Sequence, residues 1–231
     1  MAKRPIFIAE SSGPNLVRVQ SVEFTWHAGM AMSRRQMSMR SLHQEAQALH
    51  PDARILEVSR MSDDLLGEQL SAFNLTLSHP RRPRSVPVEC VFQSSKVFER
   101  GGPFLDLLEV SPIDAKRDVR LQESGRLTGF QHNGEDWPSE PPTAFYDWIY
   151  INALSEKKEL ADAVLRYDIF TDIAFNPEKS INCQAGAVAL FVALVRRGEL
   201  DVALSSRKAF LDIESKATVR NDGNGIQGSL F

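Results

Sequence analysis

The chain has 231 residues, 42% of them hydrophobic, which suffices for one large domain or two small ones whose folding buries about 70% of the extended surface. Its formal net charge of −3 excludes a global electrostatic attraction to nucleic acid, so any contact with phosphate requires a local basic patch. The two cysteines, Cys90 and Cys183, lie far apart and outside any Cys-x-x-Cys spacing. We therefore expect neither a disulfide framework nor a zinc site, and a reducing compartment.

The N-terminus has no apolar segment of signal-peptide length, and no apolar run approaches about 18 residues. We therefore expect a cytoplasmic protein that has no membrane association. The sequence contains no Gly-x-x-x-x-Gly-Lys-Ser/Thr phosphate loop, no Gly-x-Gly-x-x-Gly after a strand and no Gly-x-Ser-x-Gly elbow. The five histidines include no pair at convincing ligand spacing, so we expect no metal and no cofactor.

The first 26 residues predict strands, because apolar and polar residues alternate between Leu16 and Trp26. Ser33 is expected to cap a helix that continues to about Leu49. Further elements are expected in this order: a short strand at 54–58, a helix opening at 62–64, and a helix exit into a short strand at 71–77.

A helix is predicted over 87–99, with Pro87 well placed in its first turn. The later elements are expected to be a helical pair at 104–109 and 113–121, a Gly-rich hairpin at 124–138, an aromatic helix at 143–154, a helix capped by Ser155, and a buried helix at 183–197. The sequence thus predicts a single α+β domain over 1–216, mostly helical, with a few short strands that are mainly N-terminal. A Gly-rich flexible tail is expected over 217–231.

The helix over 87–99 carries charged groups on an otherwise apolar segment. Glu89, Phe92, Gln93 and Lys96 share one helical face. The Cα atoms of Glu89 and Lys96 are expected about 10 Å apart, too far for a direct salt bridge but suitable for bracketing a small ligand. The alternative is that Glu89 complements the helix dipole and Lys96 is solvated. Spacing alone does not decide between these interpretations.

The segment Val88-Glu-Cys-Val-Phe-Gln-Ser-Ser-Lys96 resembles the signature helix of the NADAR family, a group linked to NAD and ADP-ribose metabolism. Members typically show a Glu, an aromatic-Gln pair and a Lys at this spacing. Other stretches agree in the same order: SAFN at 71–74, SGRLTGF at 124–130, FYDWIYINAL at 145–154 and the segment 172–186. The pattern from Val22 to about Glu214 resembles in particular the NADAR antitoxins of DarT toxins specific for guanine.

The resemblance implies an enzyme that removes ADP-ribose from the exocyclic amino group of guanine in single-stranded DNA, with ADP-ribose as a product and a DarT-like toxin as a possible partner. Glu89 is then the general acid/base. Lys96 either stabilises the ribose or forms a Schiff base with the ring-opened sugar, and both roles remain open. Asp172 is implied as a second carboxylate that aligns or activates water.

The remaining ligand contacts are expected from the same resemblance. Phe92 and Gln93 belong to the signature itself. Trp148 either stacks on a base or is a core tryptophan. Asn74 either bonds the ribose or diphosphate or caps a turn. Asn182 either only caps the buried helix or also aims that helix's amides at phosphate.

A basic loop immediately precedes the signature helix. Arg81, Arg82 and Arg84 are expected to neutralise phosphates of a DNA strand without reading its sequence. The alternative is a solvated charged loop.

Two other functions remain open on these residues. One is a small-molecule N-glycosidase, similar to the family members that clear reactive riboflavin intermediates. The other is a non-catalytic ADP-ribose-binding module, or an antitoxin that neutralises its toxin by contact. Three departures from the family pattern argue against the riboflavin role: Cys90 in place of His, Phe175-Asn176 in place of Trp-Gly, and Ser180-Ile-Asn182 in place of Gly-x-Asn.

Overall fold

The computed structural model describes residues 1–79, 83–178 and 180–220. The strands, in chain order, are β1 (Ala2–Ala9), β2 (Val17–Phe24), β3 (Ile55–Glu57), β4 (Thr76–Leu77), β5 (Val86–Pro87), β6 (Lys96–Phe98), β7 (Leu127–His132), β8 (Glu135–Pro138), β9 (Ile169–Thr171) and β10 (Thr218–Arg220). The helices are α1 (Met32–Leu49), α2 (Leu65–Gln69), α3 (Val88–Ser94), the 3₁₀ helix η1 (Leu105–Leu108), α4 (Pro112–Arg117), α5 (Arg120–Glu123), α6 (Ala144–Ser155), α7 (Lys158–Val164), α8 (Gln184–Arg197), α9 (Leu200–Leu204) and α10 (Arg207–Ala217).

A five-stranded mixed sheet with the order β10-β2-β1-β9-β3 organises the fold. Its central hairpin pairs β1 with β2 along their full length, from Ala2 opposite Phe24 to Ala9 opposite Val17. The alternation that predicted β2 is confirmed, because its apolar positions are buried while Ser21 and Glu23 are exposed. Strand β9 was not predicted, since three residues cannot display a period and its pairing with β1 and β3 is entirely long-range.

Helix α8 fills the centre of the hydrophobic core. It contacts β1 and α6, and its middle turns from Ala187 to Leu194 are buried on every side. A helix that is apolar all round must be enclosed by other elements, so the predicted buried helix is confirmed. Gly198 ends it with a left-handed φ of 69°, a conformation that glycine adopts without steric cost. The mixed, mostly helical single domain that the sequence predicts is thereby confirmed.

The predicted helix over 87–99 is wrong in its second half. Helix α3 ends at Ser94, and Lys96 opens strand β6, which pairs with β7 of the predicted hairpin. The hydroxyls of Ser94 and Ser95 both donate to the carbonyl of Val91, at 3.0 and 2.8 Å. Side-chain hydrogen bonds of this kind compete with helix continuation, and the Val97-Phe98 pair that follows suits a strand.

Several other predicted boundaries also differ. Ser33 lies inside α1, whose N-cap is Ala31, and Ser155 ends α6 with its hydroxyl bonded to the carbonyl of Ile151. The N-cap of α7 is instead Lys157. The expected opening at 62–64 is confirmed, because the carboxylate of Asp64 accepts a hydrogen bond from the amide of Leu66.

The segment predicted as a flexible tail begins in β10, which pairs in parallel with β2. Residues 221–231 lie outside the described part of the chain, so the domain boundary at 216 stays a prediction. In the described segments no helix combines the length and apolar character that a membrane span requires. Cys90 and Cys183 are both buried and are not joined in a disulfide.

Candidate functional site

A cavity of about 690 Å³ opens between α3, α4, the end of β3 and the loop after β9. Its size lies within the range of roughly 300–1,000 Å³ that is usual for ligand sites. Six of the predicted site residues line it: Glu89, Phe92, Gln93, Lys96, Asp172 and Asn182. They come from three separate parts of the chain that the fold brings together.

Helix α3 is held rigidly behind the cavity. All of its residues are buried, although Glu89 and Gln93 are polar. The amides of Val88 and Glu89 donate to the carbonyls of Leu75 and Ala72, both at 2.9 Å. These bonds satisfy amides of the first helical turn that have no partner within the helix. The backbone of Glu89 is therefore fixed by the loop that precedes β4.

The carboxylate of Glu89 has two cavity-lining neighbours. Its Oε1 accepts a hydrogen bond from Gln93 Nε2 at 2.9 Å and lies 3.8 Å from Lys116 Nζ. Because Gln93 donates through its nitrogen, its Oε1 is left buried with no hydrogen-bond partner in the described residues. A buried amide oxygen without a donor is costly, so this atom offers a ligand hydroxyl or N–H a favourable position.

Lys96 extends into the same cavity although it stands on β6 rather than on α3. Its Nζ lies 4.7 Å from the centroid of the Phe92 ring. Burial lowers the pKa of Lys96 to about 8, and repulsion from Lys116 contributes, whereas the negative charge of Glu89 opposes the shift. At pH 7 about one Lys96 side chain in ten is then the neutral, nucleophilic amine.

Asp172 follows β9 directly, is 8% exposed and lines the cavity. Its Oδ1 accepts from the amides of Ala174 and Phe175, at 3.0 and 3.2 Å, and its Oδ2 accepts from Gln184 Nε2 at 3.0 Å. Burial raises the pKa of Asp172 to about 7, with a further contribution from the nearby Glu57. A carboxylate has about four acceptor positions, so three donors leave one for water or substrate.

Asn182 lines the cavity in a different role from the one predicted. The N-cap of α8 is Cys183, which has extended backbone angles and no side-chain cap. Asn182 precedes the cap, so its side chain is not directed at the first amides of α8. Its Oδ1 is buried and has no hydrogen-bond partner in the described segments. The predicted helix cap is therefore wrong, while the amide remains available to a ligand.

Trp148 and Asn74 do not line the cavity. Trp148 packs against Trp137 and Phe210, with ring centroids 5.2 and 5.3 Å apart, so the core interpretation holds for it. It is two residues beyond Tyr146, which does line the cavity, and two residues turn a side chain to the far side of a helix. Asn74 is exposed, and its amide donates to the carbonyl of Glu68 at 2.8 Å, as a turn-stabilising Asn does.

Phe73, the neighbour of Asn74, was missed by the sequence analysis. It lines the cavity and lies beneath two cations, with the guanidinium of Arg60 at 4.5 Å and the ammonium of Lys116 at 5.4 Å from its ring centroid. Two residues of the SAFN segment, Ser71 and Phe73, thus line the cavity, whereas Asn74 does not. The sequence of this segment does not indicate whether the side chain of Phe73 or that of Asn74 points into the cavity.

Among the described residues, the cations at the cavity do not include Arg84, the one predicted arginine that the structure describes. Arg84 is exposed and does not line the cavity, and Arg81 and Arg82 lie outside the described residues. Four other cations line the cavity: Arg35, Arg60, Lys116 and Arg117. Of these, only Lys116 forms an ion pair with a described residue. They lie on three distant segments, and no local pattern links them.

In the described ranges, no group of three or more His, Cys, Asp or Glu side chains is arranged to hold a metal ion. Within the described residues the cavity thus combines one carboxylate and one lysine on neighbouring elements, a second carboxylate at Asp172, unpartnered amide oxygens and several cations.

Comparison with known families identifies the family of the chain. The sequence matches the family described as DarT1-associated NADAR antitoxin over residues 2–224. No curated protein sequence matched the chain. Because the match covers nearly the whole sequence, this chain belongs to the NADAR family, in the group of DarT1-associated NADAR antitoxins.

Proposed function

We propose that this protein is an antitoxin enzyme that hydrolyses the N-glycosidic bond between ADP-ribose and the exocyclic amino group of guanine in single-stranded DNA. The observation that carries the proposal is that Glu89 and Lys96 line the same cavity and that their charges interact there. A DarT-like toxin is the proposed source of the modified DNA, which places the reaction in the cytoplasm.

The cavity matches the chemistry of an ADP-ribosyl group. Gln93 Oε1 and Asn182 Oδ1 are buried acceptors that suit ribose hydroxyls or a guanine N–H. The cations Arg35, Arg60 and Arg117 suit the diphosphate, because guanidinium groups bind phosphate oxygens through paired hydrogen bonds. Hydroxyl-binding and phosphate-binding groups thus line one cavity.

The lowered pKa of Lys96 favours a route through a Schiff base. The Lys96 ammonium donates a proton to the ribose ring oxygen as the ring opens, which leaves a protonated C=N bond between the anomeric carbon and the guanine amino nitrogen. The neutral Lys96 amine then attacks the anomeric carbon. The Glu89 carboxylate takes a proton from the attacking nitrogen and delivers it to the guanine nitrogen. The bond from the anomeric carbon to that nitrogen breaks, and unmodified guanine departs.

Water completes the reaction. It adds to the anomeric carbon of the Lys96 imine, and a carboxylate, either Glu89 or Asp172, takes its proton and returns it to the lysine nitrogen. The bond between carbon and lysine nitrogen breaks, Lys96 recovers its ammonium form, and the sugar aldehyde closes to the ADP-ribose hemiacetal. One water is consumed and one ADP-ribose is released for each guanine restored.

The activity is tested with an oligonucleotide that carries ADP-ribose on one guanine, with released ADP-ribose measured by mass spectrometry. Glu89→Gln is expected to slow release by about 100-fold or more, because it removes proton transfer while keeping the shape of the side chain. Glu159→Gln, on the exposed face of α7, is the matched control and is expected to retain full activity. Retained binding of the oligonucleotide without release by the unmodified protein would instead indicate a binding module, and turnover of riboflavin intermediates alone would indicate the small-molecule role.

The Schiff base is tested separately by reduction during turnover. Sodium borohydride is expected to trap ADP-ribose on Lys96 as a stable secondary amine, identified by peptide mass spectrometry. Lys96→Arg is expected to abolish both the adduct and the activity, because a guanidinium does not act as an amine nucleophile. Lys158→Arg, at an exposed position, is the control. Full turnover with no trapped adduct would assign Lys96 to stabilising the ribose and contradict the imine route.

A further inference from the structure

A buried carboxylate that the mechanism does not use lies directly behind Asp172. Glu57, the last residue of β3, is 2% exposed. Its Oε1 accepts from Ser59 Oγ at 2.6 Å and from the amide of Ile173 at 2.8 Å, and its Oε2 accepts from Thr171 Oγ1 at 2.6 Å. A buried carboxylate is stable only when such donors compensate for lost hydration.

These donors surround Asp172. Thr171 and Ile173 are its two neighbours in the chain, and Ser59 lines the cavity. The parallel pairing of β3 with β9 places Glu57 opposite Thr171, so the bonds join two segments that are 114 residues apart in sequence. The hydrogen bonds of Glu57 therefore fix the end of β9, the strand that Asp172 directly follows.

Among the described residues of this network, no cation neutralises the negative charge of Glu57. The Nε2 of His43 lies 2.8 Å from Thr171 Oγ1. Because the hydroxyl hydrogen of Thr171 points at Glu57, its oxygen accepts from His43, which fixes the tautomer with hydrogen on Nε2. Burial lowers the pKa of His43 to about 4, so this histidine is neutral at physiological pH. In the described residues Glu57 forms no ion pair.

Other groups also face Asp172. The positive charge of Arg4 on β1 favours the ionised form of Asp172. Arg4 also interacts electrostatically with Glu178. The remaining titratable groups are Tyr146 and Tyr150 on α6 and Cys183 before α8. Burial raises the pKa of all three well above its ordinary value, so they are neutral near pH 7. Glu57 is thus the neighbouring carboxyl whose charge opposes the ionisation of Asp172. Burial raises the pKa of Glu57 as well, while its three hydrogen-bond donors oppose that shift, so the two carboxyl groups titrate as one coupled pair.

We propose that Glu57 is a positioning residue that holds Asp172 against the cavity wall and, through its own negative charge, controls whether Asp172 carries a proton during the reaction. The inference rests on the proposed function only for its effect on rate. Two interacting carboxyl groups release their protons in coupled steps rather than independently. Asp172 is then available as a proton acceptor only when the pH lies above the titration of the pair.

The proposal predicts that the rate of ADP-ribose release falls as the pH decreases. Because burial and Glu57 raise the pKa of Asp172 to about 7, its carboxylate form is lost as the pH falls through about 7. A reaction that uses this carboxylate to take a proton from water loses rate over the same interval. Removing the Glu57 charge extends activity to lower pH, because the ionisation of Asp172 is then no longer opposed.

The test uses Glu57→Gln, which preserves the shape of the side chain. The glutamine oxygen accepts from Ser59 and Ile173, and its nitrogen donates to Thr171, whose hydroxyl then donates to His43 in the other tautomer. The titration of Asp172 is followed by ¹³C NMR of aspartate-labelled protein, with its signal assigned from Asp172→Asn. We expect its midpoint to move down by about one unit or more, and the acid limb of ADP-ribose release to move with it. Glu159→Gln, at an exposed position on α7 outside this network, is expected to shift neither.

Two outcomes overturn the proposal. The first is a Glu57→Gln protein that folds normally but keeps the Asp172 midpoint unchanged, whatever its activity. The second needs no variant: in the wild-type protein the signals of Asp172 and Glu57 are expected to report shared titration steps, and independent single-step titrations contradict the coupling. If the midpoint moves but no ADP-ribose is released by any form, the coupling holds and the proposed function is the part that fails.

Discussion

Asp147 and Glu214 are two buried carboxyl groups that lie outside the cavity, on α6 and α10. They are 7% and 8% exposed, and the hydroxyl of Thr143 donates to Glu214 Oε1 at 3.0 Å. Burial raises the pKa of both groups, and the charge of Glu214 raises that of Asp147 further. Because the charge of Glu214 opposes the ionisation of Asp147, the buried pair is most stable when it retains a proton.

This pair predicts how stability depends on pH. A carboxyl whose pKa is raised by folding binds more protons in the folded state than in the unfolded state, where its pKa is about 4. The stabilisation is therefore fully present at low pH and is lost as the pH rises through the raised value. Asp147→Asn keeps a neutral hydrogen-bond donor, so we expect its Tm to fall less than that of the wild type between pH 5 and pH 8.

The measurement is thermal unfolding at a series of pH values, in which each kcal/mol corresponds to a Tm difference of about 2–4 °C for a chain of this size. Asp162→Asn, an exposed carboxyl on α7, is the control and is expected to follow the wild-type curve. Parallel curves for the wild type and Asp147→Asn would show that the pair has no raised pKa.

The junction between α3 and β6 decides where the Lys96 amine lies. After β6 the chain turns back at Gly101 and Gly102, and the amide of Phe98 donates to the carbonyl of Gly101 at 2.8 Å. Gly102 has a φ of +86°, and a Cβ at this position would lie 2.2 Å from the carbonyl oxygen of Lys96. Glycine is thus required here both for the backbone conformation and for the close approach.

We expect Gly102→Ala to displace the backbone of Lys96 and to lower both stability and the rate of ADP-ribose release. Gly134→Ala is a closely matched control, because Gly134 has the same φ of +86° but a Cβ added there would meet no atom within 4 Å. Both variants incur backbone strain of about 1–2 kcal/mol, measurable by denaturant unfolding. Only Gly102→Ala is expected to slow the reaction, and equal rates for the two variants would show that the turn does not position Lys96.

For the molecule as a whole, the positions of the charged residues matter more for phosphate binding than the net charge. The chain is acidic overall, yet four cations gather at the cavity from α1, the segment after β3 and α4. In the sequence, the basic residues Arg81, Arg82 and Arg84 precede α3. These two basic groups are expected to serve different phosphates, the first the ADP-ribose diphosphate and the second the DNA backbone.

Two triple variants separate these roles. Arg35, Arg60 and Arg117 together changed to Gln are expected to raise KM for ADP-ribosylated oligonucleotide and for ADP-ribosyl-guanosine alike. Arg81, Arg82 and Arg84 changed to Gln are expected to raise KM for the oligonucleotide only and to reduce its salt dependence, by a slope of about 0.7 for each single-strand phosphate that is no longer neutralised. Equal losses on both substrates for the loop variant would contradict its role in DNA binding.

The sequence alone predicted several elements of the fold and part of the candidate site. The alternation in β2, the all-apolar α8 and the Gly-rich hairpin at 124–138 are local patterns, and each formed where predicted. The Glu89, Phe92 and Gln93 group also followed from helical spacing within one short helix. Such features depend on residues only a few positions apart, so a single sequence suffices to predict them.

The tertiary structure decided which side chains reach the cavity. Lys96 arrives there from a strand rather than from the predicted helix, and Phe73 takes the place expected for Asn74. Glu57 meets Thr171 across 114 residues of sequence, through the pairing of two three-residue strands. Contacts of this kind depend on packing between segments that are distant in the sequence, so no local period in the sequence predicts them. The same packing determines how deeply each titratable group is buried, and burial in turn shifts its pKa.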